Sequence, residues 1–435
     1  MRIKKQFILG FCLMILGLWA QAQPAPRVIK LDIAAIMDFL DDDVLAIQEL
    51  NERLKLAQVK AAKEKSWWLP TLSGGFNLHQ LNGIAMNTDG RYFTDLNRQN
   101  YFAGLGLDAE WDFATGPDRA RLAEAATKGL ELASETERME LLQKAGELYF
   151  ALAAEDARMR SQLALLVRAE SIVQQLAIQV EGGMRYKSEL LLAKSNLNHT
   201  KLGLLRDREN YQSIGIELAG LFNLEGQVTF TIRDSLFLPV DLVENPAFPQ
   251  IKPNVYAKQP AYQQLNAATN LIEIRRKSYQ KALLRPTLRL NIQEGIFGNP
   301  FFFHSGANQF QVNGGLVWRL PLERMFHNRQ LEEMDIEMQV HHTMMEQLRF
   351  KVNRDLDLAR HRIRATGAQI ALAREGMSLS QEALSQSIER QKLGTARAFE
   401  VFQAQEYYAR ARMDLIEATK RYNQAQWTMY LLVKE

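Results

Sequence analysis

Cysteine is almost absent from this sequence of 435 residues, in which Cys12 is the single example. It lies in an apolar run that follows a basic N-terminus and precedes Ala20-Gln21-Ala22, the pattern of a secretory signal peptide with its cleavage site. The run is short for a membrane-spanning anchor, which leaves residues 1–22 as the predicted signal peptide. The mature chain would then begin at Gln23 without cysteine, so disulfides and cysteine-based metal or redox sites are excluded.

The mature chain also lacks an excess of charge and a second long apolar run. The net charge of +3 is supplied by the three cations of the signal peptide, so the mature chain is neutral and its charge indicates no nucleic-acid partner. No later apolar run approaches the roughly 20 residues of a membrane-spanning helix. Any membrane crossing is therefore predicted to be made by β-strands, whose backbone groups are satisfied only in a closed barrel.

Proline is missing from residues 118–238 and 322–435. Apolar residues recur there at heptad spacing, which predicts very long α-helices that pack as coiled coils. Gly182-Gly183 and Gly394-Thr395 interrupt the two spans, so each is predicted to form a long helix, a tight tip and a returning helix. Prolines gather instead in residues 239–260, a predicted irregular linker.

Four shorter segments alternate apolar and polar residues, which is the period of a β-strand. They cover residues 70–82, 101–113, 286–296 and 309–320. Each is long enough to cross an outer membrane, in which a strand needs about 9–11 residues. One face of these strands is apolar and is predicted to face lipid. The other face is polar, and we expect six of its residues to line a wet lumen: Asp108, Glu110, Asp112, Arg289, Asn291 and Arg319.

The segments that join paired strands, residues 83–100 and 295–308, are predicted to be loops outside the cell, because the helices all lie at the opposite ends of the strands. The second segment contains Phe301-Phe302-Phe303, which either covers the barrel mouth or packs as an ordinary loop. Tryptophans at the helix-to-strand junctions predict an interfacial aromatic girdle. They are Trp67, Trp68, Trp111 and Trp318.

The same pattern occurs twice along the chain, and matching residues recur at one constant offset. Gly183, Glu189, Ala193 and Tyr211 are matched by Gly394, Glu400, Ala404 and Tyr422. We interpret the chain as a duplication, with residues 23–238 and 261–435 as its repeats. Four strands cannot close a barrel, so three protomers are predicted to share one barrel of twelve strands. The predicted fold is a mixed α and β membrane protein in which this barrel continues into a long helical coiled-coil tunnel.

With these elements in order, the chain resembles the TolC-type outer-membrane efflux proteins. The resemblance covers essentially the whole mature chain, from the helix that leads into Trp68-Leu69-Pro70-Thr71-Leu72 to the terminal helix that contains Glu400 and Tyr422. It implies a homotrimer in the outer membrane of a Gram-negative bacterium, with a large periplasmic part. It further implies the exit duct of a tripartite efflux pump or type I secretion system. The implied partners are a periplasmic adaptor, an inner-membrane transporter and outer-membrane lipid, without a cofactor or a catalytic role.

The resemblance also implies roles for particular residues at the two tips. Adaptor docking is expected at Gly182, Gly183, Gly394 and Thr395. A periplasmic gate is expected at Glu400, which matches the first acid of the family pattern, whereas Gln403 stands where the pattern has a second acid. Glu189, the repeat mate of Glu400, is a further candidate for the gate. The alternatives are that Glu400 lies on a solvated helical face and that the tip glycines only permit a turn.

Other classes of protein are less consistent with the sequence. A periplasmic coiled-coil adaptor would share the helical hairpins but not two matched pairs of strands. An enzyme would need a phosphate-binding loop, a nucleophile elbow or a metal motif, none of which occurs here. Met334, Met338, His341 and Met345 share one helical face, as a Cu(I) site would require, but we favour core methionines that fill gaps between helices.

Overall fold

The computed structural model describes residues 27–39, 44–86, 89–226, 228–233, 237–243, 254–282, 285–300, 306–319 and 328–433. The predicted signal peptide, Phe301-Phe302-Phe303 and much of the predicted linker lie outside these ranges. The chain divides into two compact units. The helical unit comprises Met1–Gln48, Glu137–Val255 and Asn353–Glu435, and the sheet unit comprises Glu49–Thr136 and Tyr256–Val352.

The elements follow one another in an order that occurs twice. Up to the linker they are β1 (Arg27–Leu31), α1 (Ile33–Phe39), α2 (Leu45–Lys65), β2 (Thr71–Met86), β3 (Tyr92–Asp112), α3 (Gly116–Glu181), α4 (Lys187–Leu221) and β4 (Val228–Ile232). After it they are α5 (Val255–Lys258), α6 (Pro260–Lys281), β5 (Thr287–Gly298), β6 (Ala307–Val317), α7 (Arg329–Lys392) and α8 (Ala398–Val433). Helix, two strands, long helix and shorter helix thus recur in both halves, while their common origin stays a prediction.

The sheet unit contains an antiparallel sheet in the order β2-β3-β5-β6. Its strands lie where the alternating pattern predicted them, but their four ends at the hairpin loops are displaced. β2 continues to Met86 and β3 begins at Tyr92, so the predicted loop at residues 83–100 was too long. β5 likewise continues to Gly298, and β6 begins at Ala307. Alternation is lost at these ends, because Gly83-Ile84-Ala85-Met86 is apolar on both faces and Asn97-Arg98-Gln99-Asn100 is polar on both, whereas the ladder hydrogen bonds continue.

The helical unit is centred on a core to which the short parallel strands β1 and β4 contribute. Two tyrosines that are repeat mates hydrogen-bond to the chain that follows α4. The Tyr211 hydroxyl donates to the Phe230 carbonyl oxygen at 2.6 Å, and the Tyr422 hydroxyl donates to Oδ1 of Asp241 at 2.6 Å. Burial raises the pKa of Tyr211 to about 12, so its hydroxyl remains a donor at any physiological pH.

One expectation about the helices was wrong. Within the described residues, α3 contains a stretch that is long and apolar enough to cross a membrane by length and composition alone. Polar residues interrupt this stretch, so it is apolar on average and does not form the continuous apolar run that identifies a membrane-spanning helix in a sequence. In the helical unit, the buried α3 residues Leu165, Ile172 and Leu176 pack into a protein core. Composition therefore does not distinguish this helix from a packed coiled-coil helix.

Candidate channel wall and helical tips

The polar face of the sheet brings together four of the residues that we expected to line a lumen. Asp108 is directly opposite Asn291, and Glu110 is directly opposite Arg289. Nη2 of Arg289 lies 3.2 Å from Oε1 of Glu110, and the Asn291 amide donates to the Asp108 carboxylate. Asp108, Glu110 and Arg289 are exposed on the isolated chain, and Asn291 is half-buried. The face can therefore hold water and counter-ions along its length.

The other two predicted wall residues lie differently. Arg319 follows the end of β6, although its Nη2 still lies 3.7 Å from Oε1 of Glu110. Asp112 ends β3, and its Oδ1 accepts hydrogen bonds from the backbone N–H groups of Ala114 at 3.0 Å and Thr115 at 3.1 Å. Asp112 thus supports the turn into α3. Its carboxylate is engaged by the backbone, whereas those of Asp108 and Glu110 are engaged by side chains across the sheet.

A hollow of about 710 Å³ lies against this polar face and is lined by Asp108, Glu110, Arg289 and Asn291 among others. Trp67 also lines it, with its ring edge-on to Phe113 at a centroid distance of 6.0 Å. Trp67 is therefore on the polar side of the sheet, which differs from its predicted place in an outward-facing girdle. Trp68 and Trp318 are exposed, as a girdle requires.

The opposite face of the sheet is apolar and exposed. Seven of its large side chains are Leu72, Phe76, Leu78, Leu105, Phe310, Val312 and Leu316. In one row of the sheet, Leu105 lies opposite Glu294, which in turn lies opposite Phe310. Glu294 is an acidic residue among apolar neighbours, and the sequence analysis did not single it out. A face of this size that is both regular and apolar marks contact with lipid or another protein.

Both helical tips end in the same hydrogen-bonded turn. Gly183 N–H donates to the Val180 carbonyl oxygen at 3.1 Å, and Met184 N–H donates to Gln179 at 2.8 Å. At the second tip, the N–H groups of Gly394 and Thr395 donate to the carbonyl oxygens of Gln391 and Arg390 at 3.0 and 2.9 Å. Each is a Schellman motif, with Gly183 and Gly394 at φ values of 71° and 76° that favour glycine. The geometry of the turn therefore explains both glycines, independently of any docking role of the tips.

The two acidic gate candidates occupy equivalent places, the third residue of α4 and of α8. Oε1 of Glu400 accepts the backbone N–H of Arg397 at 3.3 Å, and its Oε2 lies 3.5 Å from Nη1 of Arg390. Oε2 of Glu189 lies 3.4 Å from Nη1 of Arg185. Both carboxylates thus stabilise a helix start or pair with an arginine at a tip.

Arg185 links the two tips, and the sequence analysis missed it. Its Nη2 donates to the Ala396 carbonyl oxygen of the second tip at 3.0 Å, while Nη1 faces Glu189. The side chains of Arg185 and Glu189 are only 14% and 20% exposed. Gln403, one turn beyond Glu400, is exposed and lines a cleft between α3, α4 and α8. The constant repeat offset that relates Arg185 to Ala396 was the signal that could have directed attention to this pair.

A cluster of buried charges lies farther along the same helices. Arg158 of α3 has Nη1 at 2.8 Å from Oε1 of Glu155 and Nη2 at 2.7 Å from Oε2 of Glu417. Burial raises the pKa of Glu155. The positive charge of Arg158 acts against this rise, and the negative charge of Asp207 adds to it. Burial also raises the pKa of Asp207, again against Arg158. Oε2 of Glu155 and Oδ2 of Asp207 have no hydrogen-bond partner in the described part of the chain.

We expect Asp207→Asn to raise the thermal midpoint at pH 7.5 by a few degrees and to have a smaller effect at pH 4.5. Because the folded-state pKa of Asp207 is raised, its stabilising contribution is full below its unfolded pKa and is lost as pH rises through the folded pKa. Asparagine does not ionise and avoids that loss. Differential scanning calorimetry at both pH values measures the difference. The control is Asp357→Asn, since the Asp357 side chain is 75% exposed.

An equal gain at both pH values would show that ionisation of Asp207 is not the cause. A lower midpoint at pH 7.5 would show instead that attraction between the Asp207 carboxylate and Arg158 stabilises the fold by more than burial of the carboxylate destabilises it.

The methionine face of α7 lies in the sheet unit. Met334 is buried, and Met338, His341 and Met345 are half-buried. Nδ1 of His341 is buried and has no hydrogen-bond partner among the described residues. The burial pattern fits core methionines, and copper binding is untested.

Solved structures of outer-membrane channels share this fold. The Campylobacter jejuni CmeC outer membrane channel matches 92% of this chain and 85% of its own length, with a TM-score of 0.76 and 13% sequence identity. The outer membrane protein VceC from Vibrio cholerae matches 92% and 95%, with a TM-score of 0.71 and 15% identity. The open state of the Neisseria gonorrhoeae MtrE outer membrane channel matches 92% and 88%, with a TM-score of 0.73 and 14% identity.

The chain therefore has the fold of an outer-membrane channel. The resemblance to TolC-type outer-membrane efflux proteins is confirmed at the level of the fold. No protein-family model and no curated protein sequence matches the chain. The matched structures are described as channels rather than enzymes, which is consistent with the absence of a catalytic motif from the sequence.

Proposed function

We propose that this protein is an outer-membrane channel that serves as the exit duct of an export complex. The observation that carries the proposal is the sheet with one polar and one exposed apolar face, on the fold of outer-membrane channels. A single four-stranded sheet leaves the backbone groups of β2 and β6 unpaired at its edges, which lipid does not tolerate. Three copies would pair these edges and close one barrel of twelve strands, with the polar faces inward.

The test is reconstitution of the mature protein into planar lipid bilayers after its mass in detergent has been measured by light scattering. We expect a trimer that inserts and gives discrete conductance steps. A monodisperse monomer that gives no conductance would contradict the proposal. The alternative of a periplasmic adaptor predicts a protein that stays soluble after mild lysis without detergent.

The proposed partners are a periplasmic adaptor and an inner-membrane transporter, in either a tripartite efflux pump or a type I secretion system. A duct in the outer membrane has no energy source of its own, so cargo must be supplied by a pump at the inner membrane. The two tips are the proposed docking sites, because Gly182, Gly183, Gly394 and Thr395 are all exposed. Met184 and Leu393 beside them are exposed apolar side chains that a partner could cover.

We expect Thr395→Trp to abolish export while leaving the trimer assembled. The Thr395 hydroxyl donates to the carbonyl oxygen of Arg390 at 3.0 Å, so loss of this hydrogen bond should cost about 1 kcal/mol. An indole at the tip would instead obstruct a docked adaptor. Export assays in cells, with trimer detection by gel electrophoresis, check both results. Leu379→Trp on the exposed side of α7 is the control, and normal export by the Thr395 variant would exclude docking at this turn.

We also propose that Glu400 contributes to the periplasmic gate, and that Gln403 and Glu189 are further residues of this gate. Three copies of Glu400 near the axis would attract cations. The contact with Arg390 limits this field, since it partly neutralises the carboxylate. The cation preference of such a gate would depend on whether each Glu400 pairs with Arg390 of its own protomer or faces the pore.

Glu400→Gln is expected to weaken the cation preference of the channel and its block by multivalent cations added from the periplasmic side. The amide oxygen can still accept the Arg397 N–H, so the start of α8 should be preserved. Reversal-potential measurements in a salt gradient report the selectivity. Glu382→Gln, an exposed position on α7, is the matched change of charge. If both variants behave like the wild type, Glu400 keeps only its structural role.

A further inference from the structure

Two phenylalanines interrupt the polar face of the sheet. Phe102 of β3 and Phe297 of β5 are directly opposite each other in the register. They have the same strand parity as Asp108 and Asn291, so they lie on the polar face, on the side of the charged rows nearer the hairpin loops. From Thr71 to Asn77 along β2, the other residues on this face are small or polar: Thr71, Ser73, Gly75, Asn77, Gly104, Gly106, Asp108, Asn291, Gln293, Gly295, Gln309, Gln311 and Asn313.

Glycines occupy the neighbouring row, and the Phe102 ring lies against one of them. Gly75, Gly104 and Gly295 follow one another across the sheet. A Cβ atom on Gly104 would lie 2.6 Å from Cα of Gly295 and 2.8 Å from Cζ of Phe102. The two strands therefore approach too closely for side chains at this row. The bare backbone leaves space that the Phe102 ring occupies.

Phe297 has no such structural explanation. It is 41% exposed on the isolated chain, although the rows between it and the charged pairs carry only small or polar residues. In a soluble setting, an exposed apolar side chain taken singly needs no explanation. Here it is paired across the strands with a second aromatic residue, and the pair directly follows a row in which three neighbouring strands carry glycine.

We propose that Phe102 and Phe297 form an aromatic collar on the inner wall of the barrel, which narrows the duct and binds aromatic molecules as they leave. The inference rests on the proposed function, since it needs the polar face to be the wall of a duct. Three copies would surround the duct with phenyl rings near its outer end. Flat aromatic molecules stack on such rings or meet them edge to face.

The test compares two probes in planar bilayers, phenyltrimethylammonium and tetramethylammonium, which differ by an aromatic ring. We expect the wild-type channel to be blocked more strongly by phenyltrimethylammonium. In Phe297→Ala this extra block should weaken by roughly two- to tenfold, the range expected for one aromatic contact. The single-channel conductance should rise in the same variant, because the duct is wider.

Phe310→Ala is the control, since Phe310 is exposed on the opposite, apolar face. Phe102→Ala is a second variant, but it exposes Gly104 and is expected to lower assembly as well. Channels with normal conductance and equal block by both probes in the wild type would overturn the collar and leave the proposed function standing. Absence of any conductance would overturn the proposed function and the collar together.

Discussion

Gly146→Ala is expected to destabilise the helical unit by about 2–6 kcal/mol. A Cβ atom on Gly146 of α3 would lie 2.1 Å from Nε1 and 2.3 Å from Cε2 of Trp427. Trp427 is only 1% exposed, so its indole has no free space into which it can retreat. Its Nε1–H also donates to the Leu142 carbonyl oxygen at 3.1 Å, and displacement of the ring would break this bond. Overpacking of a core commonly costs about 1–3 kcal/mol, and a buried unpaired group adds about 1–3 kcal/mol.

The same helix supplies a matched control. Gly129 also lies within α3, and a Cβ atom there would meet no atom within 4 Å. Gly129→Ala should therefore stabilise the helix by roughly 0.5–1 kcal/mol, because alanine loses less backbone entropy than glycine. Thermal unfolding of the two variants in detergent gives the comparison. Equal midpoints would mean that the packing of α3 against α8 accommodates the added methyl group without loss of stability.

The location of this glycine shows what sequence patterns can and cannot predict. Heptad spacing predicted α3 and α8 as packed helices, since a buried stripe repeats along each of them. It did not indicate that Trp427 would lie against Gly146, because this contact joins residues that are far apart in the chain. Asp207 and Glu155 were missed for the same reason. Each is an ordinary acid on an amphipathic helix until packing places both beside Arg158.

The strands were predicted better in position than in length. Alternation located β2, β3, β5 and β6 because one face is apolar and the other polar, which is a local property of the sequence. Their outer ends depend on backbone hydrogen bonds in runs that are apolar on both faces, such as residues 83–86, or polar on both, such as residues 97–100, and these leave no alternation to detect. Alternation also missed the exceptions on each face. Glu294 on the apolar face and Phe297 on the polar face became evident only from the cross-strand register.

Leu72→Arg is expected to lower assembly in the outer membrane, whereas Ser73→Arg is expected to be tolerated. The two residues are neighbours in β2 and lie on opposite faces of the sheet. Leu72 is 71% exposed and shares its row with Leu107 and Ile292. An arginine on the lipid face of a barrel costs about 2–4 kcal/mol at the bilayer midplane and less towards the interfaces, and a trimer would bear the cost at Leu72 in every protomer.

Ser73 is on the polar face, where its hydroxyl lies 3.4 Å from Oδ2 of Asp108. An arginine there can pair with Asp108 in water, so trimers should form and their channels should shift towards anion preference. Detection of heat-resistant trimers in outer-membrane fractions measures assembly, and planar bilayers measure the selectivity of the Ser73 variant. The opposite result, with assembly in Leu72→Arg and none in Ser73→Arg, would mean that the apolar face is turned inward. Normal assembly of both variants would mean that neither face meets lipid, because a buried arginine is costly only on a face that contacts hydrocarbon.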